Sequence, residues 1–268
     1  MLRFVAAITL LMAASQPLLA QDVDDDGSYR MLLSVGGGRF TGKYGQPETT
    51  TLDVLSLNAR WYYARGEVQI SLPYLQLDQG ADVRFVDGQP IALPGDAIPS
   101  NQQNVSGLGD VVVRGEYYLR TGTSTTPWII GLVRLKLPTG NEAKGLGTGS
   151  ADVEVGVDLI QRHGRLNWMA DVGYTFAGDA FGLDSKNMLR LGAGVAMPFG
   201  NDERSNAYVY LEQRANRFAG SDDRRSFAVG VGTALDKAKR LRISASIFVG
   251  LSDTAEDLGL YLTIGHRY

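Results

Sequence analysis

The chain has 268 residues and a formal net charge of −3, with 26 Lys and Arg against 29 Asp and Glu, a balance without the basic footprint that nucleic acid requires. It contains no Cys, which excludes a disulfide scaffold, thiol chemistry and cysteine-ligated zinc. The 33 Gly, 12 Tyr, 9 Phe and 3 Trp suit one large all-β domain or two smaller ones.

The N-terminus reads as an export signal. Met1-Leu2-Arg3 carries the positive charge, Phe4 to Met12 is almost wholly apolar, and the run "QPLLA" closes on the small residue Ala20. This apolar run is too short to span a membrane as a helix. Cleavage near Ala20 is expected, so residues 1–20 are set apart from the fold as a signal peptide, and secretion without Cys fits a bacterial cell envelope. Residues 21–27 are acidic. "DVDDDG" (Asp22–Gly27) copies the opening of an EF-hand loop, but Leu33 stands at the twelfth position where a bidentate Glu belongs, so a solvated acidic segment is expected instead of a metal site.

From residue 28 to the end, period-two alternation recurs and helical spacing is scarce. In "TLDVLSLNARWYY" one face carries Leu55, Leu57, Ala59, Trp61 and Tyr63 and the other Ser56, Asn58 and Arg60. "GEVQISLPY" sets Val68, Ile70, Leu72 and Tyr74 against Glu67, Gln69 and Ser71, and "GDVVVRGEYYL" sets Val111, Val113, Tyr117 and Leu119 against Asp110, Arg114 and Glu116. Ile129, Val133, Leu135 and Leu137 then oppose Arg134 and Lys136, and Val153, Val155, Val157 and Leu159 alternate with Asp152, Glu154, Gly156 and Asp158. Comparable stripes run through Trp168–Phe176, Leu189–Met197, Ala207–Leu211, Phe227–Leu235, Ile243–Leu251 and Leu260–Ile264. With Tyr29–Gly38 they make about twelve strands.

Short connections (Ala64–Gly66, Thr121–Thr126, Arg162–Arg165, Gly200–Ser205, Asp236–Arg240) alternate with generally longer ones. The longest, Asp78–Ser106, carries Pro90, Pro94 and Pro99; "GLGTGS" (Gly145–Ser150) reads as a flexible outer loop, since it lacks the lysine and the strand-to-helix setting of a phosphate cradle. Tight turns at one end and longer loops at the other are the pattern of a transmembrane β-barrel. A soluble sandwich would alternate in the same way. The membrane reading is favoured because the apolar faces carry no charge through most strand centres, and because Trp61, Tyr63, Tyr117, Trp168, Tyr174, Phe176 and Tyr268 sit near strand ends, where girdles meet headgroups. The fold class expected is an all-β, antiparallel up-and-down barrel over residues 28–268.

In such a barrel the polar faces surround the lumen. The expected pore-lining set is Arg60, Arg114, Glu116, Arg134, Lys136, Asp152, Glu154, Asp158, Asp171, Arg190, Glu212, Arg214 and Arg242, with Glu67 and Asp110 on the same faces. Charges so placed are either hydrated or paired; they form a bracing salt-bridge lattice, a selectivity filter, or both. Tyr62, Tyr118, Trp128 and Tyr208 are expected on the lumen side near the short-turn end, as an aromatic collar able to contact planar solutes. Only His163 and His266 are available as histidine bases, one in a turn and one facing lipid, and neither has an orienting carboxylate and nucleophile beside it. No enzyme activity, metal or cofactor is therefore expected.

Three passages, "GLGDVVVRGEYYL" (Gly107–Leu119), "LKLPTGN" with "GTGSADVEVGVDL" (Leu135–Leu159), and "GYTFAGD" (Gly173–Asp179), resemble the outer-membrane family labelled for the meta-pathway of phenol degradation. That resemblance implies an outer-membrane channel or transport protein, with aromatic compounds among its small-molecule solutes. The closing strand, with Leu260, Leu262 and Ile264 in one row and Tyr268 as its terminal aromatic, resembles the C-terminal assembly signal of outer-membrane proteins. Lipid, small solutes and the outer-membrane assembly machinery are the expected partners, with no nucleic acid among them. The competing reading is a closed barrel with a structural or surface-interaction role.

Overall fold

A sheet whose side chains alternate strictly between oil and water can satisfy every backbone group in hydrocarbon only by closing on itself. The computed structural model describes residues 4–5, 21–22, 30–78, 83–86, 89–93, 104–200 and 204–268. The expected signal peptide and acidic segment lie outside these residues, except for a pairing of Phe4–Val5 with Gln21–Asp22. The strands are β1 (Met31–Gly42), β2 (Thr50–Tyr63), β3 (Gly66–Asp78), β4 in two segments (Asn104–Leu108 and Val111–Arg120), β5 (Trp128–Leu137) and β6 (Asp152–His163). They continue as β7 (Leu166–Phe176), β8 (Met188–Phe199), β9 (Ser205–Arg214), β10 (Arg224–Ala234), β11 (Leu241–Gly250) and β12 (Leu258–Arg267).

Each strand pairs antiparallel with its sequence neighbours, and β12 closes the ring against β1 from Leu258↔Thr41 to Arg267↔Leu32. Beyond the strands, the Tyr268 N–H donates to the Met31 carbonyl (2.8 Å) and the Arg30 N–H to the Tyr268 carbonyl (2.8 Å), so pairing runs through the last residue. β4 is broken at Gly109–Asp110. Asn104, Ser106 and Leu108 face outward before the break and Val111 and Val113 after it, so one extra residue is absorbed there as a bulge, which turns Asp110 inward.

The outward stripes are those read from the sequence. Leu57, Val133, Leu211, Leu260 and Leu262 are each about half exposed or more, whereas Lys136 and Glu154 on the opposite faces are 1% exposed. A continuous aliphatic belt of this extent in water would be an enormous sticky patch; against acyl chains it is the favoured surface. Aromatics bracket the belt, with Trp61, Tyr63, Tyr117, Trp168, Phe199 and Tyr268 toward the short-turn end and Tyr74, Tyr174 and Phe176 toward the loop end. The outward ion pair Arg39–Asp53 (2.7 Å) sits toward the loop-end rim, away from the strand centres.

The longer loops differ from expectation in one respect. Gly145–Thr148 is buried and is no flexible outer loop: the Gly140 and Thr148 N–H groups donate to the Asp110 carboxylate (2.9 and 3.2 Å), and the Gly145 carbonyl accepts from Phe85 N–H (2.8 Å). A single 3₁₀ turn, Glu142–Lys144 capped by Asn141, interrupts the same loop. In the long β3–β4 loop, Val83–Val86 pairs with Gln89–Ala92 as a small hairpin. Its Val86, together with Leu93, packs on Ala180, Phe181 and Phe218 from two other loops, so the loop end is roofed by an apolar cluster.

Candidate functional site

Every inward charge expected from the sequence points toward the barrel axis and is buried. Nearest the short turns, Arg60 pairs with Glu67 (2.9 Å) and its Nε donates to Gln69 (2.9 Å), while Tyr118 donates to Glu67 at 3.5 Å. Arg114 bridges Glu116 (2.6 Å) and Asp158 (3.2 Å), and Arg242 faces inward at the start of β11. Closer to the loop ends of their strands, Glu154 takes Arg134 on one oxygen (3.0 Å) and Arg190 on the other (2.9 Å); Arg190 also pairs with Asp171, which accepts from the Tyr210 hydroxyl. Toward the loops, Lys136 holds Asp110 (3.1 Å) and Asp152 (3.0 Å) together, and Arg217 forks onto both oxygens of Asp152 (2.9 Å each).

Register accounts for this lattice. Arg134 lies opposite both Glu154 and Arg114, Lys136 opposite Asp152, and Asp158 opposite Asp171. Like charges facing each other across a ladder repel, so each such pair recruits opposite charges from further round the wall. Desolvated ions are tolerable only when nearly every one is paired in this way.

The collar residues are split. Tyr118 and Trp128 meet edge to face with ring centroids 6.0 Å apart, and Tyr62 faces inward beside them on the same short-turn side. Tyr208, on β9, bonds Ser246 of β11 (2.7 Å) instead. Four further inward rings escaped the sequence reading: Phe40, Tyr210, Phe248 and Tyr261. The signal that finds them is a glycine at the paired position, since Gly259 stands opposite Phe40 and Phe248, Gly38 opposite Tyr261, and Gly194 opposite Tyr210. Sequence reasoning also missed the buried loop charges Arg84, Arg217 and Glu256, and Arg224 and Arg267 at strand ends.

Above the lattice, a cavity of about 550 Å³ opens between the β1–β2, β3–β4, β9–β10 and β11–β12 loops. Its wall includes Tyr44, Ile91, Leu93, Met188, Arg214 and Arg224. Tyr44 is held in the left-handed region (φ 51°), a conformation that L side chains adopt at a cost. Burial pushes its hydroxyl well above the ordinary phenol range, and the neighbouring Glu256 carboxylate adds to the effect. Burial likewise raises the Glu256 carboxyl, and the Arg224 guanidinium paired with it opposes that rise.

A closed twelve-stranded sheet, apolar without and charged within, defines a transmembrane β-barrel of the Gram-negative outer membrane, with the fold of outer-membrane channels. The chain belongs to the family described as "Putative MetA-pathway of phenol degradation", whose model matches residues 15–268. Among solved structures it is similar to the COG4313 outer membrane channel from Pseudomonas putida F1, at 14% identity and a TM-score of 0.67 over 90% of this chain and 96% of that one. It is also similar to the NanC porin, at 10% identity and a TM-score of 0.52 over 88% and 98% of the two chains. For the transport unit of the Escherichia coli autotransporter AIDA-I the values are 11% identity and a TM-score of 0.50, over 92% of each chain. No curated protein matches the sequence.

Proposed function

We propose that the protein is a channel for passive or facilitated diffusion of small solutes, aromatic compounds among them, across the outer membrane, and that it performs no catalysis. The observation that carries this reading is the vestibule among the loops, which opens above an interior lined by charged side chains from nearly every strand. A barrel wall alone needs no polar interior; buried ions are costly, and replacing them with apolar residues commonly stabilises a fold. Their presence along the axis favours passage of polar or charged groups. In this reading the Arg60-to-Arg242 set lines the path, and the Tyr62, Tyr118, Trp128 and Tyr208 rings contact planar solutes. Residues 1–20 act as the export signal, and the strand ending at Tyr268 addresses the chain to the assembly machinery.

The depth of burial of the ion-pair lattice favours a second reading, a closed barrel that braces or decorates the membrane. Single-channel recording in planar bilayers separates the two. A pore gives discrete, salt-dependent current steps; a closed barrel gives none. Charge reversal at Arg134 or Glu154 is expected to shift ion preference, and an unchanged reversal potential would remove those residues from the ion path.

A further inference from the structure

At the loop end of the lumen, β8, β9 and β10 set three arginines side by side, with Arg190 opposite Arg214 and Arg214 opposite Arg224. The outer two are neutralised at close range, Arg190 by Glu154 (2.9 Å) and Asp171, Arg224 by Glu256. The middle one is not. Among the described residues the nearest acid to Arg214 is Glu212, 3.9 Å away and beyond hydrogen-bond distance. The buried Arg214 Nε and Nη2 groups have no hydrogen-bond partner among the described residues. Nor has the Tyr44 hydroxyl a partner among them, although the residue is 1% exposed. Tyr44, Arg214 and Arg224 all line the 550 Å³ vestibule, whose wall also includes the apolar Ile91, Leu93 and Met188.

We propose that this vestibule is a binding site for a small organic anion, a carboxylate borne on a compact apolar body, with Arg214 as its principal ligand. The inference rests on the channel reading for how the solute passes on, but the site itself stands on its own geometry. A carboxylate offers two oxygens and about four acceptor positions, which match the planar fork of a guanidinium and leave one for a phenolic O–H. The wall also carries Asp222 and Asp253, but among the described residues Glu212 is the only acid within 4 Å of the Arg214 guanidinium. The open donors that a ligand head meets therefore belong to Arg214, and a neutral alcohol would leave most of them unsatisfied. Space is sufficient: a dry cavity of about 150 Å³ holds benzene, so the vestibule has room for an aromatic acid with accompanying water. Ile91, Leu93 and Met188 offer its body an apolar contact, and the Tyr44 hydroxyl and the Arg214 guanidinium take its head.

Calorimetric titration of the full chain folded in detergent tests this without requiring conduction. The probes are benzoate, benzyl alcohol and benzylammonium, which share a ring and differ in the head. Benzoate is expected to bind saturably and at least tenfold more tightly than the other two. Arg214→Gln is expected to weaken benzoate by tenfold or more, Arg214→Lys, which keeps charge but loses the fork, by less, and Tyr44→Phe by a few-fold, each in barrels whose folding is verified by heat-modifiable gel mobility. Benzoate binding no tighter than benzyl alcohol, or unchanged in folded Arg214→Lys and Tyr44→Phe barrels, would overturn the site. Bilayer currents separate the two claims: binding without conduction sinks the channel reading alone, and conduction without benzoate binding sinks the site alone.

Discussion

Val209 is the fifth of the ten residues of β9, outward-facing and 43% exposed, with Val195 and Val229 opposite it on β8 and β10. If the belt meets acyl chains, Arg at this site must carry its charge to the centre of the hydrocarbon or drag water in after it. At the midplane of a barrel this costs about 2–4 kcal/mol, and near the interfaces about 0–1 kcal/mol. Leu119, one residue from the short-turn end of β4 and 59% exposed, is the internal control. Val209→Arg should therefore shift the folding equilibrium by roughly thirty- to a thousand-fold and Leu119→Arg by roughly fivefold at most, since each 1.4 kcal/mol is tenfold. Refolding from urea into phosphatidylcholine vesicles, followed by the fluorescence of Trp61, Trp128 and Trp168, measures both. Equal costs at the two positions would refute the depth argument. A wild-type chain that stays monomeric in buffer without detergent would refute the membrane assignment itself.

Arg190→Met leaves the buried Asp171 without a cation and Glu154 with Arg134 alone, and should lower stability by about 3–5 kcal/mol; adding Asp171→Asn should recover part of that loss, and a double variant no better than the single would show that charge is not the cause. Asp110→Asn removes the anion that ties Lys136 to the Gly140 and Thr148 amides, so protease should cut the Pro138–Gly149 loop of intact barrels sooner than in the wild type; equal cutting rates would mean that the loop is anchored elsewhere. Gly156→Ser should cost roughly 1–3 kcal/mol by overpacking, because a Cβ there would lie 2.6 Å from the Val172 carbonyl, whereas Gly115→Ser, with nothing within 4 Å, should be mild. Comparable urea midpoints for the two serine variants would contradict this.

The barrel wall was legible because the bilayer imposes one requirement on every strand: an uninterrupted apolar face. In β6, Val153, Val155 and Leu159 announce that face, and Asp152, Glu154 and Asp158 follow as its complement. What stayed hidden is held by contacts between remote segments. Arg217 reads as an ordinary loop charge until β6 brings Asp152 to it, 65 residues away in sequence. The "GLGTGS" passage looks flexible because its composition does not reveal that the Thr148 amide, with that of Gly140 before it, will find the inward Asp110 carboxylate. Phe40 and Tyr261, alone among polar neighbours, pass for irregularities of phase unless the glycine on the adjoining strand is counted with them.

Those ring-on-glycine seats govern how far the rings reach toward the axis. With strand number and stagger given, the backbone circle is fixed, so the space left at any height depends on how flat the side chains lie. Phe40 over Gly259, Tyr261 over Gly38, Tyr210 over Gly194 and Tyr208 over Gly230 each lean along the wall where the neighbour has no Cβ to lift them. A methyl group at any of these glycines would swing its ring toward the axis. Such a barrel can change calibre one notch at a time, by trading glycine for alanine, without adding a strand or altering its register.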